Sequence, residues 1–146
     1  MKNITICADL NEESLKVLSG IKSKINLTDT RVHLVHIFEI QVGFVEVAAT
    51  IYPTVDQYPE IKDSVLKILG NLQKDLGLLD AQVEKVCLFS QSKEQALKEY
   101  LEQKNIDLVA LSTRGKHGIE GFFASSLADF LCKYSPCDIL VMRPRK

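Results

Sequence analysis

Five short apolar runs, each followed or preceded by a stretch with helical spacing, leave this chain few ways to fold. They are Asn3 to Ala8 (NITICA), Arg31 to Phe38 (RVHLVHIF), Ala81 to Phe89 (AQVEKVCLF), Leu108 to Leu111 and Asp138 to Met142. The first shows little polar alternation, which suits a strand covered on both faces. Strict alternation of strand and helix implies right-handed crossovers and a parallel sheet with helices on both sides. The expected architecture is therefore α/β, a five-stranded, mostly parallel open sheet with helices on both faces. At 146 residues, a single domain over 1–146 is expected, large enough to bury roughly two thirds of its unfolded surface.

The helices have recognisable starts and stops. Asn11 is placed to cap a helix over Glu12 to Lys24, with Leu15, Leu18, Ile21 and Ile25 on its apolar side and two acids in the first turn, where the dipole favours them. Glu60 to Leu76 carries Ile61, Val65, Ile68 or Leu69, Leu72 and Leu76 on one stripe and ends at Gly77. Ser92 is expected to cap Lys93 to about Lys104, with Gln95 at the capping-box position and Ala96, Leu97, Tyr100 and Leu101 turned inward. A fourth helix is expected from about Phe122 or Ser125 to Tyr134. Residues 39–59 are the least regular part, punctuated by Gly43, Pro53 and Pro59; a loop of that length in a small domain serves as a lid, a binding loop or a partner surface.

Charge is nearly balanced, with 18 basic and 19 acidic residues, so the basic stripe of a nucleic-acid or membrane-surface binder is missing. The apolar start breaks at Asp9, too early for a secretory or spanning segment, and a cytoplasmic protein is expected. The four cysteines form no CxxC and have no histidine at ligand spacing, which argues against zinc or redox chemistry. His33 and His36 lie on opposite faces of one strand and cannot share a metal, and His36 reads as a hydrogen-bonded core residue.

The chemistry-bearing stretch is Ile106 to Ala128, IDLVALSTRGKHGIEGFFASSLA. A buried strand runs into a polar loop with Gly115, Gly118 and Gly121, then Ser125-Ser126 and an apolar helix. Free main-chain N–H groups in such a loop and at a helix start favour an anion, and an adenine nucleotide is the first candidate. Arg114, Lys116 and His117 add positive charge around the loop. Ligands of open α/β sheets sit beyond the carboxyl ends of the strands where strand order reverses, a rule that brings Asp9, Ile37-Phe38 and Ser112-Thr113 together.

Asp9-Leu10-Asn11-Glu12-Glu13-Ser14, the strand end Leu34-Val35-His36-Ile37, and IDLVALSTRGKHG with ASSLADFL and SPCDILVMRP together resemble the universal stress protein family over essentially the whole chain. The resemblance implies a Rossmann-like sheet of the adenine nucleotide α-hydrolase type and binding of ATP or AMP, with Mg2+, by a G-x2-G-x9-G-[S/T] frame. Here that frame reads Ser112-x2-Gly115-x9-Ser125-Ser126, with serine at two glycine positions. By position, Asp9 is implied to hold the ribose, Ile37 the base, and Ser112, Gly115, Ser125 and Ser126 the phosphates, flanked by Thr113, Arg114 and Leu127. The resemblance also implies a homodimer through Asp138 to Met142, whose apolar edge otherwise invites aggregation.

Enzyme signatures are missing: no nucleophile elbow, no Walker lysine and no paired carboxylates at strand ends, so any ATP hydrolysis is expected to be slow and incidental. The alternative within the same family is a nucleotide-free dimeric interaction protein.

Overall fold

The computed structural model describes residues 1–113 and 126–145. Along the chain these form β1 (Lys2–Cys7), α1 (Glu12–Ser19), β2 (Thr30–Glu39), β3 (Gln41–Val45), β4 (Ala48–Tyr52), α2 (Tyr58–Leu76), β5 (Val83–Ser90), α3 (Lys93–Gln103), β6 (Leu108–Ser112), α4 (Ser126–Tyr134) and β7 (Asp138–Met142). Five strands make one sheet in the order β5-β2-β1-β6-β7, with every neighbouring pair parallel. The chain thus builds outward from β1 in both directions and reverses between β1 and β6.

Strand periodicity divides the core in two. Ile4, Ile6, Val32 and Leu34 point to one face and pack with Leu18, Leu69 and Leu72 from α1 and α2. Cys7, Val35, Ile37, Val109 and Leu111 point to the other and pack with Leu97, Leu101 and Leu131 from α3 and α4. Burial on both sides explains the lack of polar alternation in β1.

Local signals account for most boundaries. Asn11 caps α1 by accepting the Ser14 N–H at 2.8 Å, and Ser92 caps α3 by accepting that of Gln95 at 3.2 Å. In α2 the buried stripe runs Val65, Leu69, Leu72 and Leu76, so Leu69 rather than Ile68 faces the sheet.

Four expectations need correction. α1 ends at Ser19 and continues as a 3-10 turn over Gly20–Ser23, because serine and glycine there hold the α-helix poorly. β5 starts at Val83, after a 3-10 turn over Asp80–Gln82. Gln95 does not close a capping box; its side chain donates to Glu99 Oε1 at 2.9 Å. The irregular segment 39–59 contains the antiparallel hairpin β3–β4, separate from the main sheet. Its turn, Glu46-Val47, lacks the Asn-Gly or Asp-Gly signature by which hairpins are recognised, and Glu46 itself takes the left-handed conformation at φ 57.

Gly77 terminates α2 at φ 68, where an added Cβ meets nothing within 4 Å. The cost of a side chain there is therefore conformational alone. Gly77→Ala should lower the unfolding free energy by about 1 kcal/mol in urea titration, and an unchanged midpoint would show that the left-handed cap is not required.

Candidate functional site

Because β1 sits between β2 and β6, one register fixes the level of all three. Cys7 aligns with Val35 on one side and with Leu111 on the other. Asp9, Ile37 and Thr113 each lie two residues beyond that row, and Ser112 one residue beyond it. Four sequence-predicted site residues are thereby gathered at the carboxyl ends of the strands, where the strand order reverses. As the crossover between the parallel strands β6 and β7, α4 starts at this same end, with Ser126 and Leu127 in its first turn. Arg114, Gly115 and Ser125 lie outside the described residues.

Each gathered residue already has protein partners. Asp9 is part-exposed, with its Oδ1 3.5 Å from Lys93 Nζ. Ile37 is only 2% exposed and packs in the core under α3 and α4. Ser112 and Ser14 hydrogen-bond through their hydroxyls, tying the end of β6 to the first turn of α1. The Thr113 N–H donates to the Met142 carbonyl at 2.9 Å and extends the β6–β7 ladder. Leu127 is half-buried against the α3/α4-side core. Ser112 is not among the positive-φ residues, so glycine is not needed there for conformational reasons.

Two neighbours escaped sequence reasoning. Lys93, the first residue of α3 after β5, reaches Asp9 after β1 across the end of β2; only the sheet order, which the sequence does not display, would have pointed to it. Ser14 read as part of a helix start, whereas its hydroxyl serves Ser112. His36, expected from the sequence to be hydrogen-bonded, donates its Nδ1–H to the Ala8 carbonyl at 2.7 Å, holding the chain just before Asp9. Burial holds this histidine below its ordinary pKa, against the opposing pull of the Ala8 hydrogen bond. Beneath the site the Cys7 thiol is pushed up to about 12, by burial first and by the Asp9 carboxylate second, so it stays protonated and inert.

Among the described residues, no three His, Cys, Asp or Glu side chains converge to hold a metal ion. None of the described helices is long and apolar enough to cross a membrane. A groove of about 830 Å³ opens at the opposite, amino-terminal end of the sheet, lined by residues including Leu27, Arg31, Leu76 and Leu79. It is remote from the strand ends that the switch-point rule selects.

The topology defines an open parallel α/β protein whose strand order reverses between β1 and β6. The family model for universal stress proteins matches residues 1–143, and the chain belongs to the universal stress protein family. No curated protein sequence matches. Among solved structures, it is similar to a universal stress protein in complex with cAMP, at 14% identity, TM-score 0.65, covering 99% of this chain and 98% of that one. It is similar to a family member from Arabidopsis thaliana with AMP bound, at 12% identity, TM-score 0.64 and coverage of 99% and 93%. A universal stress protein from Archaeoglobus fulgidus in complex with dAMP follows at 12% identity, TM-score 0.61 and coverage of 97% and 98%. At such identities the likeness establishes the fold.

His33, like His36, is a histidine whose burial lowers its pKa. It is 3% exposed, with Nδ1 2.7 Å from the Tyr100 hydroxyl and Nε2 unpartnered. Desolvation lowers its pKa more than Glu84, 3.7 Å away, raises it. When a histidine's folded pKa lies below its unfolded value of 6.5, the unfolded chain binds more protons. His33 and His36 therefore contribute stability that is complete above pH 6.5 and is lost as pH falls through their folded pKa values. Urea unfolding should show stability dropping from pH 7.5 to 5.5, with a smaller drop in His33→Asn/His36→Gln. Equal stability of the parent protein at both pH values would contradict this assignment.

Proposed function

We propose that this protein binds an adenine nucleotide, ATP or AMP, at the carboxyl ends of β1, β2 and β6. The observation that carries the reading is the gathering of Asp9, Ile37 and Ser112 within two residues of the Cys7 row, where strand order reverses. Structural neighbours of the same family in complex with cAMP, AMP and dAMP support it. Asp9 is assigned to the ribose hydroxyls, which compete with Lys93 for its carboxylate. The base lies against the end of β2 at Ile37, contacting the strand edge, since the side chain is committed to the core. Ser112, Gly115, Ser125 and Ser126 are assigned to the phosphates, with Thr113, Arg114 and Leu127 flanking them and Mg2+ accompanying a triphosphate. The Thr113 N–H is already engaged with Met142, so phosphate contacts fall to the other members. The setting is a cytoplasmic homodimer joined through β7, whose outer edge has no strand beside it among the described residues.

One set of contacts favours the second reading, a nucleotide-free dimeric interaction protein. The Asp9–Lys93 pair and the Ser14–Ser112 bond satisfy within the chain the groups that a nucleotide would use.

Thermal unfolding with AMP, ATP and cAMP, each with and without Mg2+, separates the two. A nucleotide at a hundred times its dissociation constant should stabilise the protein by roughly 2.7 kcal/mol. Asp9→Ala should abolish most of that gain while the unliganded protein stays folded. The absence of any shift at millimolar nucleotide would select the nucleotide-free reading.

A further inference from the structure

Four cations converge on a groove beside α1 that the nucleotide reading does not use. The helix sets Glu13, Lys16, Val17 and Gly20 along one stripe, at the spacing of three and four that keeps residues on the same side, and Lys24 closes the turn that follows. Beyond Met142 the chain leaves β7 as Arg143-Pro144-Arg145 and forms the opposite wall. The groove between them holds about 420 Å³, within the range of small-ligand sites. Gly20 keeps it open, since a Cβ added there would stand 3.9 Å from the methyl of the buried Met142.

The charge of this lining is one-sided. Lys16, Lys24, Arg143 and Arg145 face a single acid, Glu13, in a chain whose net charge is −1. Among the described residues none of the four belongs to an ion pair, whereas Arg31, Lys93, Lys98 and Lys104 each do. Ser23 also lines the groove, but its hydroxyl donates to the Gly20 carbonyl at 2.8 Å, so recognition falls to the cations. Like charges gathered without counter-ions repel one another, and one anion of several charges relieves them together. A single exposed pair contributes little under physiological screening, so a carboxylate or a lone phosphate gains too little to be held. The arginines add a planar fork that meets phosphate oxygens in pairs.

We propose that this groove takes a chain of two or three linked phosphates between α1 and residues 143–145. None of Asp9, Ile37, Ser112 and Thr113 lines it, so it is a site apart from the strand ends and does not rest on nucleotide binding there. Linked phosphates occur as free inorganic chains and as the tails of nucleoside polyphosphates, and the chemistry of recognition is common to both.

Isothermal titration calorimetry of the full chain, at physiological salt and without divalent metal, tests it with sodium tripolyphosphate and sodium orthophosphate. Tripolyphosphate should bind once per chain and at least tenfold tighter than orthophosphate. Lys16→Gln/Arg145→Gln, with its fold checked by circular dichroism, should weaken tripolyphosphate at least tenfold. Gly20→Leu, which keeps every charge and fills the groove, should weaken it as much. No binding by the parent protein, or parent-like affinity in the charge variant, overturns the proposal. Parent-like affinity in a folded Gly20→Leu does so too, because the anion is then held by diffuse surface charge. Displacement of tripolyphosphate by AMP would move it to the strand ends and equally overturn the assignment. Competition by ATP but not AMP supports the groove with a nucleotide tail as its source; competition by neither supports it with a free chain. A protein that binds tripolyphosphate in this way and no AMP at all would refute the nucleotide reading alone.

Discussion

The structure depends on β1 pairing in parallel with β2 and β6 at once. A central strand with two parallel neighbours is paired on both edges, and its partners reach their places by crossovers that carry helices over both faces, so Ile4 to Cys7 is buried on either side. The same double pairing sets the level at which three strands stop. Asp9, Ile37 and Ser112 come from segments about thirty and seventy-five residues apart in the chain, yet the ladder aligned on Cys7 leaves them no freedom to be elsewhere. The proposed binding end is in this sense a by-product of the sheet.

What surrounds that end is a set of small polar contacts of modest individual strength. The Ser14–Ser112 bond, the His36 bond to Ala8 and the Asp9–Lys93 pair each join two elements that meet only because the sheet has formed. The exposed ion pair contributes little by itself. Its significance is electrostatic: it holds a cation at the carboxylate that is assigned to the ribose. Serine at 112 is a departure from glycine that the fold accommodates, since the backbone there is ordinary strand and the hydroxyl has a partner.

Strand positions, the Asn11 and Ser92 caps and the Gly77 stop could be read from residues because each is decided by neighbours within four positions. The hairpin could not. Its turn, Glu46-Val47, has none of the usual turn residues, and Gly43 and Pro53 looked like interruptions of a loop. For the site, Asp9, Ile37 and Ser112-Thr113 follow from the switch-point rule together with the family pattern. Lys93 and Ser14 do not, because their roles arise from contacts 84 and 98 residues away in sequence. The engagement of Thr113 with Met142 was likewise hidden, being a property of the β6–β7 ladder rather than of the loop motif.

The most direct test of the binding end is where AMP perturbs the backbone. In a titration of isotope-labelled protein followed by amide chemical shifts, the account predicts changes concentrated at Ala8 to Ser14, Ile37 to Glu39 and Ser112-Thr113. Shifts confined instead to the groove at the other end of the sheet, around residues 25–31 and 76–82, would contradict it.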